Sequence, residues 1–145
     1  MFTLNKLNKI IQEFVDNHRQ IKTWRLENYG DFSNITYPLL AGLIQPSPVD
    51  SASSSFVVKF WILDKVTKGL NNQVDCLSDT HLMGLDVLSY FKQTNFDELG
   101  YLYVVQTATF DRVIEDGEDE VSGWTFEVTF KTIFEWDLCS IPITN

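Results

Sequence analysis

YLYVVQTATFDRVI (101–114), EDGEDE (115–120), SGWTFEVTFKTIFEW (122–136) and DLCSIP (137–142) follow one another at the end of the chain. In the third piece Trp124, Phe126, Val128 and Phe130 fall on one face, and Thr125, Glu127, Thr129 and Lys131 on the other. Strict alternation is the period of a half-buried strand, so the apolar row is expected in the core. With the first piece and the acidic turn it predicts one long hairpin over 101–136. A domain of 145 residues is too small to cover two strands of that length. Part of the aromatic surface is therefore expected to meet another chain, since an exposed aromatic edge is an aggregation hazard in a monomer. Phe134, Trp136, Leu138 and Ile141 lie past the point where a small sheet pairs them. With Trp61 they are the expected subunit-contact residues.

Working back from the hairpin, FVVKFWILDKV (56–66) has Phe56, Val58, Phe60 and Ile62 on one face and Val57, Lys59, Trp61 and Leu63 on the other. Both faces are largely apolar, which suits a central strand or one with a face against another chain. Leu4, Leu7, Ile10, Ile11, Phe14, Val15 and His18 keep helical spacing, with Thr3 as N-cap and His18 as a capping or half-buried residue. A second helix is expected from about Leu77 to Phe91, capped by Ser78 or Asp79. Leu82, Leu85, Val87, Leu88 and Phe91 would form its core face. Gly84 inside that helix costs about 1 kcal/mol relative to alanine, which predicts close packing against the sheet. Short strands are expected at 21–27 and 37–44, with a turn at 28–31 between them and Pro38 at a strand start or edge. The segment QPSPVDSASSS (45–55) is expected to be a flexible surface loop, and 68–72 a turn. The sum is one α+β domain spanning 1–145. It has a mainly antiparallel sheet flanked by two helices.

Composition narrows the functions. Net charge is −9 with a pI near 4.5, which excludes a basic footprint on nucleic acid. Aromatic residues make up 14 %, including 11 Phe and 4 Trp, suiting sheet and interface surfaces. Cys76 and Cys139, the 2 cysteines, have neither disulfide-scaffold density nor zinc-site spacing, so two reduced thiols are expected. No signal peptide or run of ~20 apolar residues is present, so a soluble product made in the cytoplasm is expected, without a membrane role.

No sequence motif for catalysis, phosphate binding or metal ligation occurs, and no cofactor is expected. With 2 histidines in the chain, a histidine-based site is a poor candidate. Glu115, Asp116, Glu118, Asp119 and Glu120 form an acidic turn without the ligand spacing of an EF-hand loop, so a solvated or channel-facing tip is expected. Asp64 and Asp86 would make a carboxylate pair for acid–base chemistry only if the fold brought them together.

NHRQIKTW (17–24) followed by GDF (30–32), the Tyr37–Pro38 strand, FVVKFWILDKV (56–66), VDCLSDTHLMGLDVLSYF (74–91), EDEVSGWTFEVTF (118–130) and the closing DLCSIP together make a layout. It resembles the small head–tail joining and tail-terminator-like ring proteins of tailed bacteriophages, those of crAss-like and related phages especially. The likeness spans nearly the whole chain in loose patterns and not in a catalytic signature. It implies a non-enzymatic virion component, assembled in the host cytoplasm. Copies would close into a sixfold or twelvefold ring among portal, connector or tail ring proteins, and DNA would pass through without specific binding. Two other classes compete: a small soluble binding domain with an aromatic pocket between helix and sheet, and a carboxylate-dependent hydrolase using Asp64 or the 115–120 cluster.

Overall fold

Strands β3 (Ser53–Lys65) and β6 (Val121–Ile133) run antiparallel along their entire length, from Ser53 opposite Ile133 to Lys65 opposite Val121. They form the spine of a computed structural model that describes residues 3–27, 35–50, 53–66, 72–93, 103–104, 108–115, 121–133 and 142. On the other edge of β3 lies β2 (Leu39–Gln45), antiparallel, and beyond it β1 (Thr23–Leu26), parallel to β2. The outer edge of β6 takes β4 (Tyr103–Val104) and β5 (Asp111–Glu115). With helices α1 (Leu4–Asn17) and α2 (Gln73–Gln93), the architecture is the expected α+β domain, antiparallel except for β1.

Both helices pack on one face of the sheet. Leu7, Ile10, Ile11, Phe14 and Val15 of α1 join Met83, Val87, Leu88 and Phe91 of α2 over Phe60, Phe126 and Phe130. The even-numbered residues of β3 and β6 form this core, as their alternation predicts. On the opposite face a smaller cluster gathers Leu39, Ala41, Trp61, Leu63 and Val121 under Ile35 and Tyr37. Thr3 caps α1, its hydroxyl accepting from the Lys6 N–H at 3.3 Å. β1 stops at Glu27, whose φ of 67° turns the chain out of the strand. Its carboxylate still accepts from the Ile44 N–H at 2.6 Å, extending the β1–β2 pairing by one bond.

Four expectations need correction. The first hairpin arm is not one strand. Val104 and Asp111 stand seven residues apart while their partners Phe130 and Thr125 stand five apart, so the arm carries two residues more than the strand it lines. Ala108 to Phe110 lie outside any strand. An excess of this kind breaks a ladder locally. Second, Ser53 to Ser55 are strand, not loop. Ser53 donates to Asp50 through its N–H (2.7 Å) and hydroxyl (2.9 Å), and the Ser55 N–H donates to the Pro48 carbonyl.

Third, α2 begins four residues earlier than Leu77. The Cys76 N–H reaches the Asn72 carbonyl, and Asp75 in the first turn complements the helix dipole. Ser78 and Asp79 are exposed helix positions, not caps. Fourth, α2 buries Cys76, Thr80, Met83, Val87, Leu88 and Phe91, so Val87, Leu88 and Phe91 face the core as expected, while Leu82 and Leu85 face outward. Gly84 does mark the close approach: a Cβ there would lie 3.1 Å from the Phe110 ring. The turn expected at 28–31, most of that at 68–72 and the ends of the 101–136 hairpin lie outside the described residues.

Candidate interaction surface

A 21-residue helix lying on a sheet buries one row and turns the opposite row to solvent. In α2 that outer row is not polar throughout. Val74 is 76 % exposed, Leu82 57 % and Leu85 39 %. At 3.6 residues per turn these three fall within an arc of about 80°, with Asp75, Asp86 and Asp79 in the next ~60°. The surface is thus an apolar stripe with an acidic border on one side.

On its other side the stripe runs down to the sheet through Leu77 and His81. Trp124 donates from Nε1 to the Leu77 carbonyl at 2.9 Å, fixing the indole against the helix. The His81 ring stands edge-on to Trp124 and to Phe110, at 5.5 and 5.3 Å between centroids. Val74, Leu77, Ser78, His81, Leu82 and Trp124 line a shallow depression of about 460 Å³.

Negative charge concentrates where α2 starts. Burial first, then the carboxylates of Asp64, Asp79 and Asp75, push the Cys76 thiol up from its ordinary pKa. Burial also raises Asp64, opposed by the Lys65 N–H bonded to it and reinforced by Asp79. Asp75 and Asp79 form no salt bridge among the described residues, whereas Asp86 binds His18. Asp64 and Asp86 are therefore not a pair: the carboxylate that acts on Asp64 is Asp79. Among the described residues no three His, Cys, Asp or Glu side chains converge to hold a metal ion.

Trp61 is a core residue and not an exposed contact. It is 8 % exposed, in the smaller cluster, with the Lys59 ammonium 5.2 Å above its ring. The reason is that β3 is central and the segment around Ile35 and Tyr37 covers this half of the face. Phe134, Trp136, Leu138 and Ile141 lie outside the described residues, as do Asp116, Glu118, Asp119 and Glu120. Glu115 pairs with Val121 at the end of the hairpin. A second depression, about 410 Å³ and polar, opens on the sheet face away from the helices. Lys59, Thr109, Asp111, Thr125, Glu127 and Thr129 line it.

The chain matches no protein-family model and no curated protein. Its own surface therefore carries the functional reading. The outward apolar row was the residue set that helical periodicity alone missed. Its signal was present: α2 holds two apolar rows, and Asp75, Asp79 and Asp86 stand beside the one that faces water.

Proposed function

We propose that this chain is a structural subunit that works by contact with other polypeptides. In the setting that its sequence layout resembles, copies close into a ring in the head–tail connector or tail of a tailed bacteriophage and continue the DNA channel between portal and tail. The observation that carries the contact role is the stripe of Val74, Leu82 and Leu85, three apolar side chains held outward on a rigid helix. Apolar side chains gathered on one exposed face, here interrupted only by Ser78, mark interaction sites in water-exposed proteins. The net charge of −9 agrees with a conduit that phosphates traverse without sticking. No helix among the described residues is long and apolar enough to cross a membrane.

Co-expression with the products of the neighbouring genes, followed by electron microscopy, tests the proposal. Closed rings containing this chain are expected, with sixfold or twelvefold symmetry. A chain that stays monomeric and joins no ring under those conditions sinks the reading.

A small-molecule binding domain is the second reading, but its place changes. Between helix and sheet the rings fill the space themselves, Phe60 on Phe126 at 5.4 Å and Phe91 on Phe130 at 4.8 Å. The polar depression at Lys59, Asp111 and Glu127 is the feature that favours a small ligand. Amide shifts confined to those residues on screening a polar fragment set would support it.

A further inference from the structure

The chemistry of the α2 face narrows what covers it. The stripe from Val74 to Leu85 is about three helical turns long, and its exposed surface is made of side chains on a helix. A strand laid there would find no backbone donors or acceptors and would leave its own N–H and C=O groups desolvated. A helix brings its backbone already paired. The border adds a charge requirement, because Asp75, Asp79 and Asp86 line one flank and Lys92 is met only about two turns beyond Leu85.

Neither α1 nor the segment after β6 offers such an occupant. The apolar row of α1 is buried in the core. Residues 134–145 carry Phe134, Trp136, Leu138 and Ile141, but their charged residues are Glu135 and Asp137, with no Lys or Arg. Two copies meeting antiparallel through this face, about a twofold axis perpendicular to α2, would bring their acidic borders together. Like charges juxtaposed there suppress the contact. About an axis parallel to α2, neither border would meet a cation on its partner's stripe flank.

We propose that the α2 face docks a cationic amphipathic helix of a different protein. Leucine-type side chains would cover Val74, Leu82 and Leu85, and lysines or arginines would run along Asp75, Asp79 and Asp86. This rests on the reading of the α2 face as a contact surface and names its partner by chemistry. In ring terms, the face serves a neighbour of another kind and leaves the contacts between identical copies to other surfaces.

The test uses the full chain and a fluorescent synthetic helix of about 18 residues, five turns, with Leu at i, i+3, i+4 and i+7 and Lys elsewhere. One control reorders the same residues so that leucines surround the helix; another replaces Lys by Glu. Saturable binding of the first peptide is expected, with amide shifts confined to 74–89. Leu82→Ser and Asp79→Asn, both at exposed positions, should each weaken it, the former about tenfold, or ~1.4 kcal/mol. Equal binding of the reordered peptide, indifference to Leu82→Ser, or shifts mapping elsewhere would each overturn the proposal. So would self-association abolished by Leu82→Ser, which would give the face to a second copy. Rings that form from a chain blind to the cationic peptide remove this inference alone. Peptide binding without rings removes the virion placement alone.

Discussion

His18 and Asp86 join the two helices through a hydrogen bond of 2.8 Å from imidazole Nε2 to carboxylate Oδ2. The other ring nitrogen, Nδ1, accepts from the N–H groups of Gln20 (3.1 Å) and Ile21 (3.2 Å). With two donors aimed at it, Nδ1 is the accepting nitrogen, so Nε2 is the one that donates to Asp86 and the ring acts as a strut. One side chain thereby closes the end of α1, fixes the turn into β1 and ties both to α2. His18→Ala removes three hydrogen bonds and should cost about 1–3 kcal/mol in urea unfolding. Asp86→Ala should cost less, since its carboxylate is solvated once released. Equal losses for the two would contradict the division of roles.

Asp64 imposes a pH dependence whose sign follows from its raised pKa. Below the ordinary carboxylate value of 3.8 the group is protonated folded and unfolded, and it costs nothing. As pH rises through the higher folded value, the native state must ionise a group that burial disfavours, and stability is lost. Asp64→Asn keeps an acceptor for the Lys65 N–H and removes the charge. The variant should be more stable than the parent at pH 7, with the gap closing as pH falls toward 4. Urea midpoints at both pH values measure it, and a gap independent of pH would rule out the charge as its cause.

Cys76 should be a slow thiol. It is buried, its Sγ donates to the Lys65 carbonyl at 3.4 Å, and burial and three carboxylates disfavour the thiolate. In a Cys139→Ser background, labelling by a water-soluble disulfide reagent at pH 8 should run an order of magnitude or more below a free thiol. Urea should restore the rate. Fast labelling of the folded protein would place Cys76 at the surface.

Gly123 tolerates no side chain. A Cβ there would fall on the Ile62 carbonyl oxygen, in the β3–β6 spine two pairs in from its Lys65–Val121 end. Gly123→Ala must part the two longest strands and should cost about 3 kcal/mol or more by thermal or urea unfolding. Glu127→Ala, exposed four residues along the same strand, should stay within about 0.5 kcal/mol. Similar effects from the two would mean the spine yields easily at Gly123.

Alternation made β3 and β6 legible from residues alone, and helical spacing did the same for α1. Each has one apolar row that only one partner surface satisfies. α2 was harder because Met83, Val87 and Phe91 compete with Val74, Leu82 and Leu85 for the core, and period alone does not choose between them. The interruption of the first hairpin arm depends on pairing register with β6, a long-range relation that local sequence does not encode. Trp61 misled for a similar reason: what covers it comes from residues 35 to 37, more than twenty positions away.

The β3–β6 spine also sets an order of events during synthesis. Lys65 waits 56 residues for its partner Val121, and Ser53 waits 80 for Ile133. Until the last strand is made, β3 has β2 on one side and an open, largely apolar edge on the other. Pairings this distant in the chain form slowly, and unpaired edges are where growing chains misassociate. The domain cannot lock while it is being translated. A chain cut short anywhere before Val121 lacks the strand that completes its sheet.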